Sequence, residues 1–131
     1  MTSDALVLVD SSMWVRSWRP GFPEVRAGLH QLIEADRVAG HPFVFGELLI
    51  GDRGARREVL ARYPDTATAV PPVPHEDVVL FVQHHRLSGR GLGWIDCHLL
   101  AAVVQHRLWL WSADAPLMRA ARSFGVAFDE A

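Results

Sequence analysis

The sequence predicts an α/β fold in which helices cover both faces of a central, mostly parallel sheet. Residues 6–10 are apolar up to the final Asp10 and show no polar alternation, which is typical of a central strand buried on both faces. Segments with strand character then alternate with segments of helical periodicity, a pattern that favours parallel strands joined through helices. The chain has 131 residues, of which 50% are hydrophobic and 21% charged, so it can bury one core. We therefore expect a single three-layer domain that spans residues 1–131.

The elements are predicted from apolar patterns and from the residues that begin or end them. In chain order they are a strand at 6–10, helices at 11–18, 24–39, 42–50 and 56–62, a short strand at 67–70, helices at 75–87 and 94–106, a strand at 108–111, a helix at 116–123 and a short strand at 126–128.

Polar and glycine residues set the predicted boundaries in the first half of the chain. The two serines after the first strand can cap the helix that follows. The helix at 24–39 has an apolar stripe at helical spacing, and Gly40 is its expected C-terminal stop. Pro42 can open the next helix, although residues 42–44 could instead form a short strand.

Glycine and proline mark the boundaries in the second half. Residues 51–54 include two glycines that end the preceding helix, and Pro64 ends the one after it. Three prolines within residues 71–74 form a linker inside the domain, and the glycine-rich segment 88–93 separates two helices. Pro116 can open the last helix.

Composition excludes several classes of protein. All 13 basic residues are arginines, so the phosphate-binding loop of the GxxxxGK[ST] class is excluded, because it needs a lysine. Receiver domains and haloacid-dehalogenase-type phosphatases also combine aspartates with a lysine, which makes them poor fits. The only cysteine, Cys97, cannot form an internal disulfide or a thiolate zinc site, and we expect it to be buried on a helix. The net charge of −2 does not by itself indicate a nucleic-acid binder.

Four acids lie within, or directly after, segments that are otherwise apolar and that we expect in the core: Asp10, Glu47, Asp96 and Asp114. A carboxylate in such surroundings is costly unless a partner compensates its charge. Asp10 and Asp114 each follow a predicted strand, and ligands in open α/β sheets bind outside the carboxyl ends of strands. If the four converge, a divalent cation is the simplest relief of their repulsion. The set therefore predicts a metal-dependent enzyme.

Each acid also has an ordinary structural explanation. Asp10 can cap a helix or close a strand, and Asp114 can cap the helix that begins near Pro116. Asp96 falls in the first helical turn, where the macrodipole favours an acid. Against this, its neighbours one turn further on are apolar, so its face is not a solvent face. Any one of the acids is weak support for a site, and the four together are stronger.

Four segments carry a resemblance to a known family. They are Leu-Val-Asp10-Ser-Ser-Met-Trp14, Gly46-Glu47-Leu48-Leu49, Gly93-Trp-Ile-Asp96-Cys-His-Leu-Leu-Ala-Ala102 and Leu110-Trp-Ser112-Ala-Asp114-Ala-Pro-Leu117. In order, spacing and total length the chain resembles the PIN-domain ribonucleases, specifically the VapC toxins of type II toxin–antitoxin pairs. Two positions depart from the family pattern: Ser112 stands where threonine is commoner, and Pro116 replaces the second acid of the last motif. Asp114 is therefore expected to serve alone there.

The resemblance implies a PIN-like α/β/α sandwich with a Mg²⁺- or Mn²⁺-dependent endoribonuclease site. Asp10 and Asp96 would be the principal ligands of one or two ions, and Glu47 and Asp114 would act directly or through water to position the nucleophile. All-oxygen ligands suit such hard cations and argue against zinc.

Further residues are expected around this acidic cluster. Ser12 and Ser112 would orient carboxylates or contact a phosphate. Arg16 and Arg90 are candidate RNA contacts, and Trp14 could stack on a base, although packing or a dimer interface is the alternative we favour. The seven histidines show no metal-ligand spacing, and the one nearest the site, His98, is expected to have a surface or hydrogen-bonded role.

The implied partners follow the family. They are an RNA substrate, either transfer or ribosomal RNA, a VapB-like antitoxin whose tail covers the acidic cleft, and a second copy of the chain. Trp14, Trp18 and Phe22 are expected to be exposed and to form part of the dimer interface. We expect a cytoplasmic protein without a membrane segment. The alternatives are a PIN nuclease in RNA or DNA processing without a toxin role, and a catalytically inactive PIN-like binding module. Small size favours the toxin, and retention of all four acids argues against the inactive module.

Overall fold

The structure is a computed structural model that describes residues 1–129. Its elements in chain order are β1 (Val7–Val9), α1 (Ser11–Ser17), α2 (Pro23–Glu34), β2 (Val38–Gly40), α3 (Pro42–Gly51), α4 (Arg57–Thr66), β3 (Thr68–Ala69), α5 (His75–His84), α6 (Trp94–His106), β4 (Trp109–Trp111) and α7 (Ala115–Ser123).

The four strands form one parallel sheet in the order β3-β2-β1-β4. The central strand β1 places Val7 opposite Val38 on one side and opposite Trp109 on the other. Its three residues are fully buried, which explains why the segment lacks polar alternation. The predicted α/β fold with a mostly parallel central sheet is confirmed.

The direction of chain progression across the sheet reverses once. The chain moves outward from β1 to β2 to β3, then returns to place β4 on the other side of β1. Because parallel crossovers are right-handed, this reversal puts the later helices on the opposite face. Helix α1 packs against α2 and α3, and α3 against α4, whereas α6 packs against α5 and α7. The result is three layers with a topological switch point between β1 and β4.

One cluster of buried apolar side chains fills the space between the layers. It draws on β1, β2 and β4 and on helices from both groups. Seven consecutive residues of α6, from Cys97 to Val103, are buried, so this helix is enclosed on most sides. The expectation that Cys97 is buried on a helix is confirmed. No helix within residues 1–129 has the length and apolar character needed to cross a membrane.

The helix predicted at 24–39 is wrong in its second part. Helix α2 ends at Glu34, and residues 38–40 form strand β2 instead of a helical end. Asp36 adopts a left-handed backbone with φ of 53°, which breaks the helix and turns the chain toward the sheet. Strand β2 is then held by pairing with β1, where the Val7 amide donates to the Arg37 carbonyl at 2.7 Å.

Other boundaries differ by smaller amounts. Pro64 does not end helix α4, which continues to Thr66, and the last amide of that turn, at Ala67, donates to the Tyr63 carbonyl. Helix α5 ends at His84 rather than at residue 87 because Arg86 has a φ of 53°. The strand expected at 126–128 is reduced to one parallel bridge between Ala127 and Leu110.

Candidate active site

The pairing of β1 with β4 brings two distant parts of the chain together. Val9 and Trp111 are partners in the sheet, and the amide of Asp10 donates to the Trp111 carbonyl at 2.9 Å. The residues that follow the two strands therefore start from adjacent positions. This juxtaposition lies at the switch point, where the loops after the strands diverge to opposite faces.

Asp10 is buried, with 7% of its surface exposed, and three donors surround its carboxylate. Oδ2 accepts from the hydroxyls of Ser112 at 2.7 Å and Ser12 at 2.9 Å, and Oδ1 accepts from the Ser11 amide at 2.9 Å. The last contact caps helix α1, so the ordinary capping explanation of Asp10 is also correct. These donors compensate for the water that burial removes.

Ser12 and Ser112 tie the loop after β4 to the start of α1. Each gives its hydroxyl proton to Asp10, and each hydroxyl oxygen then accepts a backbone amide at 3.0 Å: Ser12 from Ala113, and Ser112 from Asp114. The two hydroxyl oxygens lie 3.4 Å apart. Both serines thus stand where the sequence analysis expected carboxylate-orienting groups.

Glu47 reaches the cluster from the middle of α3. It is half-buried, and its Oε1 accepts the Ser11 hydroxyl at 3.2 Å. Burial raises the pKa of Glu47 most, the charge of Asp10 raises it further, and the charge of Asp96 adds to this, while the Ser11 hydroxyl opposes the rise. The charges of Asp10, at the end of β1, and of Asp96, in α6, therefore both repel the Glu47 carboxylate.

Asp96 and Asp114 each begin a helix. Asp96 lies in the first turn of α6 and accepts the Gly93 amide on Oδ2 at 3.0 Å, and Asp114 caps α7 by accepting the Leu117 amide on Oδ1 at 2.9 Å. Burial is the main cause of a raised pKa at Asp96; the Gly93 amide opposes it, and the charges of Asp114 and Asp10 add to it. The four predicted acids are thus electrostatically coupled.

Three of these carboxylates keep an oxygen free. Within residues 1–129, Glu47 Oε2, Asp96 Oδ1 and Asp114 Oδ2 accept no hydrogen bond from the protein. In the same residues, no three acid, histidine or cysteine side chains are gathered tightly enough to form a complete metal centre. Mg²⁺ generally keeps several waters and uses one or two carboxylates together with substrate phosphates. An all-oxygen set with free lone pairs and mutual repulsion fits such a water-rich site.

A cleft of about 420 Å³ opens beside Glu47. Its lining is mixed, with apolar, acidic and basic residues: Ser11, Val15, Trp18, Glu47, Leu48, Ile50, Gly51, Asp52, Arg53, Ala55 and Arg56. The Arg56 guanidinium is already engaged, 5.0 Å above the Trp18 ring and within 3.4 Å of the Trp18 carbonyl. The Ile50 side chain is 89% exposed at its rim.

Trp14, the candidate for stacking on an RNA base, is buried inside the protein. The indole is 3% exposed and packs against Trp18 and Tyr63, with ring centroids 6.5 and 5.6 Å away. This agrees with a packing role, which was part of the favoured alternative for Trp14. The expectation that Trp14, Trp18 and Phe22 are all exposed is also wrong, since Trp14 is buried and the other two are half-buried.

The two predicted RNA-contacting arginines differ in their surroundings. The Arg16 guanidinium lies 4.5 Å above the Phe22 ring, so it already has an intramolecular partner. Arg90 is exposed in the loop before α6.

The histidine expectations need correction. His98 is 5% exposed and packs edge-on against Phe43 and Trp94, and its Nδ1 has no hydrogen-bond partner within residues 1–129, so it has neither a surface nor a hydrogen-bonded role at that atom. His41 was not predicted to have a structural role, yet it is 1% exposed and caps α3 by accepting the Phe43 amide on Nδ1 at 3.0 Å. A histidine directly before a helix-opening proline is the local signal that could have identified this cap.

The chain is similar to known proteins along nearly its whole length. It is 34% identical over 126 residues to "Ribonuclease VapC32" of Mycobacterium tuberculosis, in strain CDC 1551 / Oshkosh and in strain ATCC 25618 / H37Rv, with 95% of this chain and 98% of that protein covered. The crystal structure of PAE2754 from Pyrobaculum aerophilum matches its fold with a TM-score of 0.66 and 16% identity, over 99% of this chain and 93% of the other. No family model matches the chain. The similarity in structure shows the fold and confirms the predicted PIN-like sandwich. The similarity in sequence shows the family. The chain therefore belongs to the VapC family of PIN-domain ribonucleases.

Proposed function

We propose that the protein is a Mg²⁺- or Mn²⁺-dependent endoribonuclease toxin that hydrolyses phosphodiester bonds in cellular RNA. The observation that carries the proposal is the coupling of Asp10, Glu47, Asp96 and Asp114 at the switch point of the sheet. The ribonuclease name of the relatives supports RNA as the substrate.

The acids have distinct roles in this proposal. Asp10 and Asp96 are the principal ligands, because Asp10 is fixed by three donors and Asp96 keeps Oδ1 free. Asp114, oriented by the Leu117 amide, acts directly or through water. When bound, a divalent cation neutralises phosphate charge and lowers the pKa of a water molecule.

Glu47 is proposed to position the attacking water and to take its proton at Oε2. Its raised pKa brings it closer to the working pH than an ordinary carboxylate, which suits a general base. The water oxygen then bonds to phosphorus, the bond from phosphorus to the ribose oxygen breaks, and that oxygen takes a proton from solvent.

The proposed toxin role, the antitoxin and the dimer are argued from the family. A toxin role, control by a VapB-like antitoxin whose tail covers the acidic cleft, and a homodimer are proposed because the relatives carry the VapC name. The alternatives are a PIN nuclease in RNA or DNA processing without a toxin role, and an inactive binding module. The cluster of four acids with free oxygens disfavours the inactive module.

The test is cleavage of total RNA by purified protein free of any antitoxin, with Mg²⁺, with Mn²⁺ and with EDTA. Discrete products that require metal and are lost in Asp10→Asn are the expected result, and end mapping then distinguishes transfer from ribosomal RNA. Asp65→Asn is the matched control, since it makes the same chemical change at an exposed acid of α4. Metal-independent cleavage, or full activity of folded Asp10→Asn, would refute the mechanism.

A further inference from the structure

A second cleft, of about 500 Å³, lies between the loop before α6 and helix α7. It is lined by Gly89, Arg90, Gly91, Pro116, Arg119 and Ala120. One wall is the loop before α6, which leads to Asp96, and the other is helix α7, which Asp114 caps. The cleft is therefore adjacent in sequence, on both walls, to acids of the proposed active site.

The loop that carries Arg90 has a constrained shape. Gly89 and Gly91 on either side of it have left-handed backbones, with φ of 73° and 78°. A Cβ added at Gly91 would lie 3.4 Å from two carbons of Pro116, so the loop passes close to helix α7. Glycine permits this backbone without strain, which lets the loop hold Arg90 at the cleft.

Both arginines of this cleft are available to a ligand. The Arg90 and Arg119 side chains are exposed, and neither guanidinium donates a hydrogen bond to, or forms an ion pair with, any of residues 1–129. Four other arginines, in contrast, are engaged by the protein itself: Arg26 and Arg37 donate to backbone carbonyls, and Arg16 and Arg56 each cover an aromatic ring. The cleft thus concentrates uncompensated positive charge.

We propose that Arg90 and Arg119 form a phosphate-binding subsite that holds the RNA backbone next to the scissile bond. The proposal rests on the proposed function and extends it to Arg119, and it gives the substrate strand a path along α7. A guanidinium suits phosphate because its planar donors can bind two oxygens at once. Two such groups also offset the repulsion between the RNA backbone and the four carboxylates.

Two other basic clefts are weaker choices. Beside Glu47 the lining includes Asp52, and Arg56 is already bound to Trp18. The cleft lined by Arg56 and Arg57 also contains Glu58, whose charge offsets one arginine. The Arg90–Arg119 cleft alone among these three has two free arginines and no acid in its lining.

The test measures binding rather than cleavage. Fluorescence anisotropy of a short labelled single-stranded RNA of mixed sequence is followed over a salt series in EDTA, with Asp10→Asn as the parent protein. Adding Arg90→Gln or Arg119→Gln should each weaken binding about three- to tenfold and reduce the slope of log affinity against log salt by about 0.7. The double change should reduce it by about 1.4. Arg119→Lys keeps the charge and should keep the slope.

Arg107→Gln is the matched control. The substitution removes the same charge, but Arg107 lies after the C-terminal end of α6, away from the cleft. It should leave affinity and slope unchanged. The proposal is overturned if the double variant binds as the parent does, if Arg107→Gln weakens binding equally, or if the parent does not bind RNA. Metal-dependent cleavage without this arginine dependence would overturn the subsite and leave the nuclease. Arginine-dependent binding by a protein that cleaves no RNA would overturn the nuclease and leave the phosphate-binding subsite.

Discussion

At the scale of single residues, Asp10 shows how one side chain serves both fold and site. Its three hydrogen bonds come from the cap of α1 and from two serine hydroxyls that lie 100 positions apart in the chain. Those hydroxyls also accept the amides of the loop after β4, so the carboxylate and the loop are fixed together. The orientation of Asp10 therefore depends on groups that need not touch RNA.

Ser112→Ala should lower the cleavage rate about 10- to 100-fold, as expected for loss of a group that orients a ligand. The change removes a donor to Asp10 and the acceptor of the Asp114 amide. Ser112→Thr keeps the hydroxyl and should restore activity. Rates and metal affinity are measured beside Ser123→Ala, a control that loses only a bond to the Ala120 carbonyl. Wild-type rates in Ser112→Ala would exclude this role.

Glu47→Gln should stabilise the metal-free protein while it lowers activity. The pKa of Glu47 is raised in the folded state, so its ionised form opposes folding at neutral pH. Glutamine removes the charge and can still accept the Ser11 hydroxyl. We expect a gain in the free energy of unfolding at pH 7.5 in EDTA, which solvent screening of this half-buried carboxylate keeps below about 1 kcal/mol.

The gain at Glu47→Gln should shrink when the pH is lowered from 7.5 to 4.5, because protonation of the folded wild-type carboxyl removes the charge that opposes folding. Urea denaturation at the two pH values measures it. Glu58→Gln, an exposed acid of α4, should change little. A gain of equal size at both pH values would point to packing and not to charge.

At the scale of elements, the acidic cluster is where several helices begin. Asp10 caps α1, Asp114 caps α7, and Asp96 lies in the first turn of α6. Helix N-termini carry partial positive charge and favour nearby carboxylates. The structural and functional explanations of these acids therefore coincide, because the helix ends that fix the acids also offset part of their repulsion.

The start of α3 gives a prediction about pH. Burial lowers the pKa of His41 to about 4, and the nearby His98 contributes. In the unfolded chain His41 titrates near 6.5, so between the two values only the unfolded state binds the proton. Stability is therefore full above about pH 6.5, and it falls by roughly 3 kcal/mol as the pH drops to about 4.

His41→Asn removes this titration and keeps an N-cap acceptor for the Phe43 amide. The free energy of unfolding, measured by urea denaturation from pH 7.5 to 4, should fall less steeply in the variant. His30→Asn is the control, since His30 is an exposed residue of α2 whose ring lies 3.0 Å from the Glu34 carboxylate. Parallel profiles for wild type and His41→Asn would contradict the prediction.

At the scale of the whole molecule, the site exists only when the sheet is complete. Its acids come from the ends of β1 and β4 and from α3 and α6, which belong to different layers. Folding therefore brings like charges together, and a cation that binds only the folded protein should stabilise it.

Mg²⁺ or Mn²⁺ should raise the melting temperature of the wild-type protein. A free ion concentration about 100 times the dissociation constant corresponds to about 2.7 kcal/mol of added stability. The shift should be lost in Asp10→Asn and kept in Asp65→Asn, and EDTA should reverse it. Thermal scans at several ion concentrations measure it. No shift in a protein that cleaves RNA would mean that the metal binds only together with substrate.

Local patterns predicted much of this protein. The bounds of α6 agree with the prediction at both ends, and the acids of β1, α6 and α7 lie at the element ends where the sequence placed them. Such features depend on neighbours within a turn or a strand, so they can be read locally. The order of the four family motifs also sufficed to predict the fold class and the family.

Long-range packing decided the rest. Strand β2 has three residues, and it is a strand because β1 and β3 pair with it and because Asp36 turns left-handed before it. The burial of Trp14 and His98 depends on Tyr63 and Phe43, which come from other helices. The Arg90–Arg119 cleft likewise joins the loop before α6 to helix α7, and both α6 and β4 lie between them in the chain. Amphipathic periodicity describes one element at a time, whereas these contacts arise when elements distant in sequence pack together.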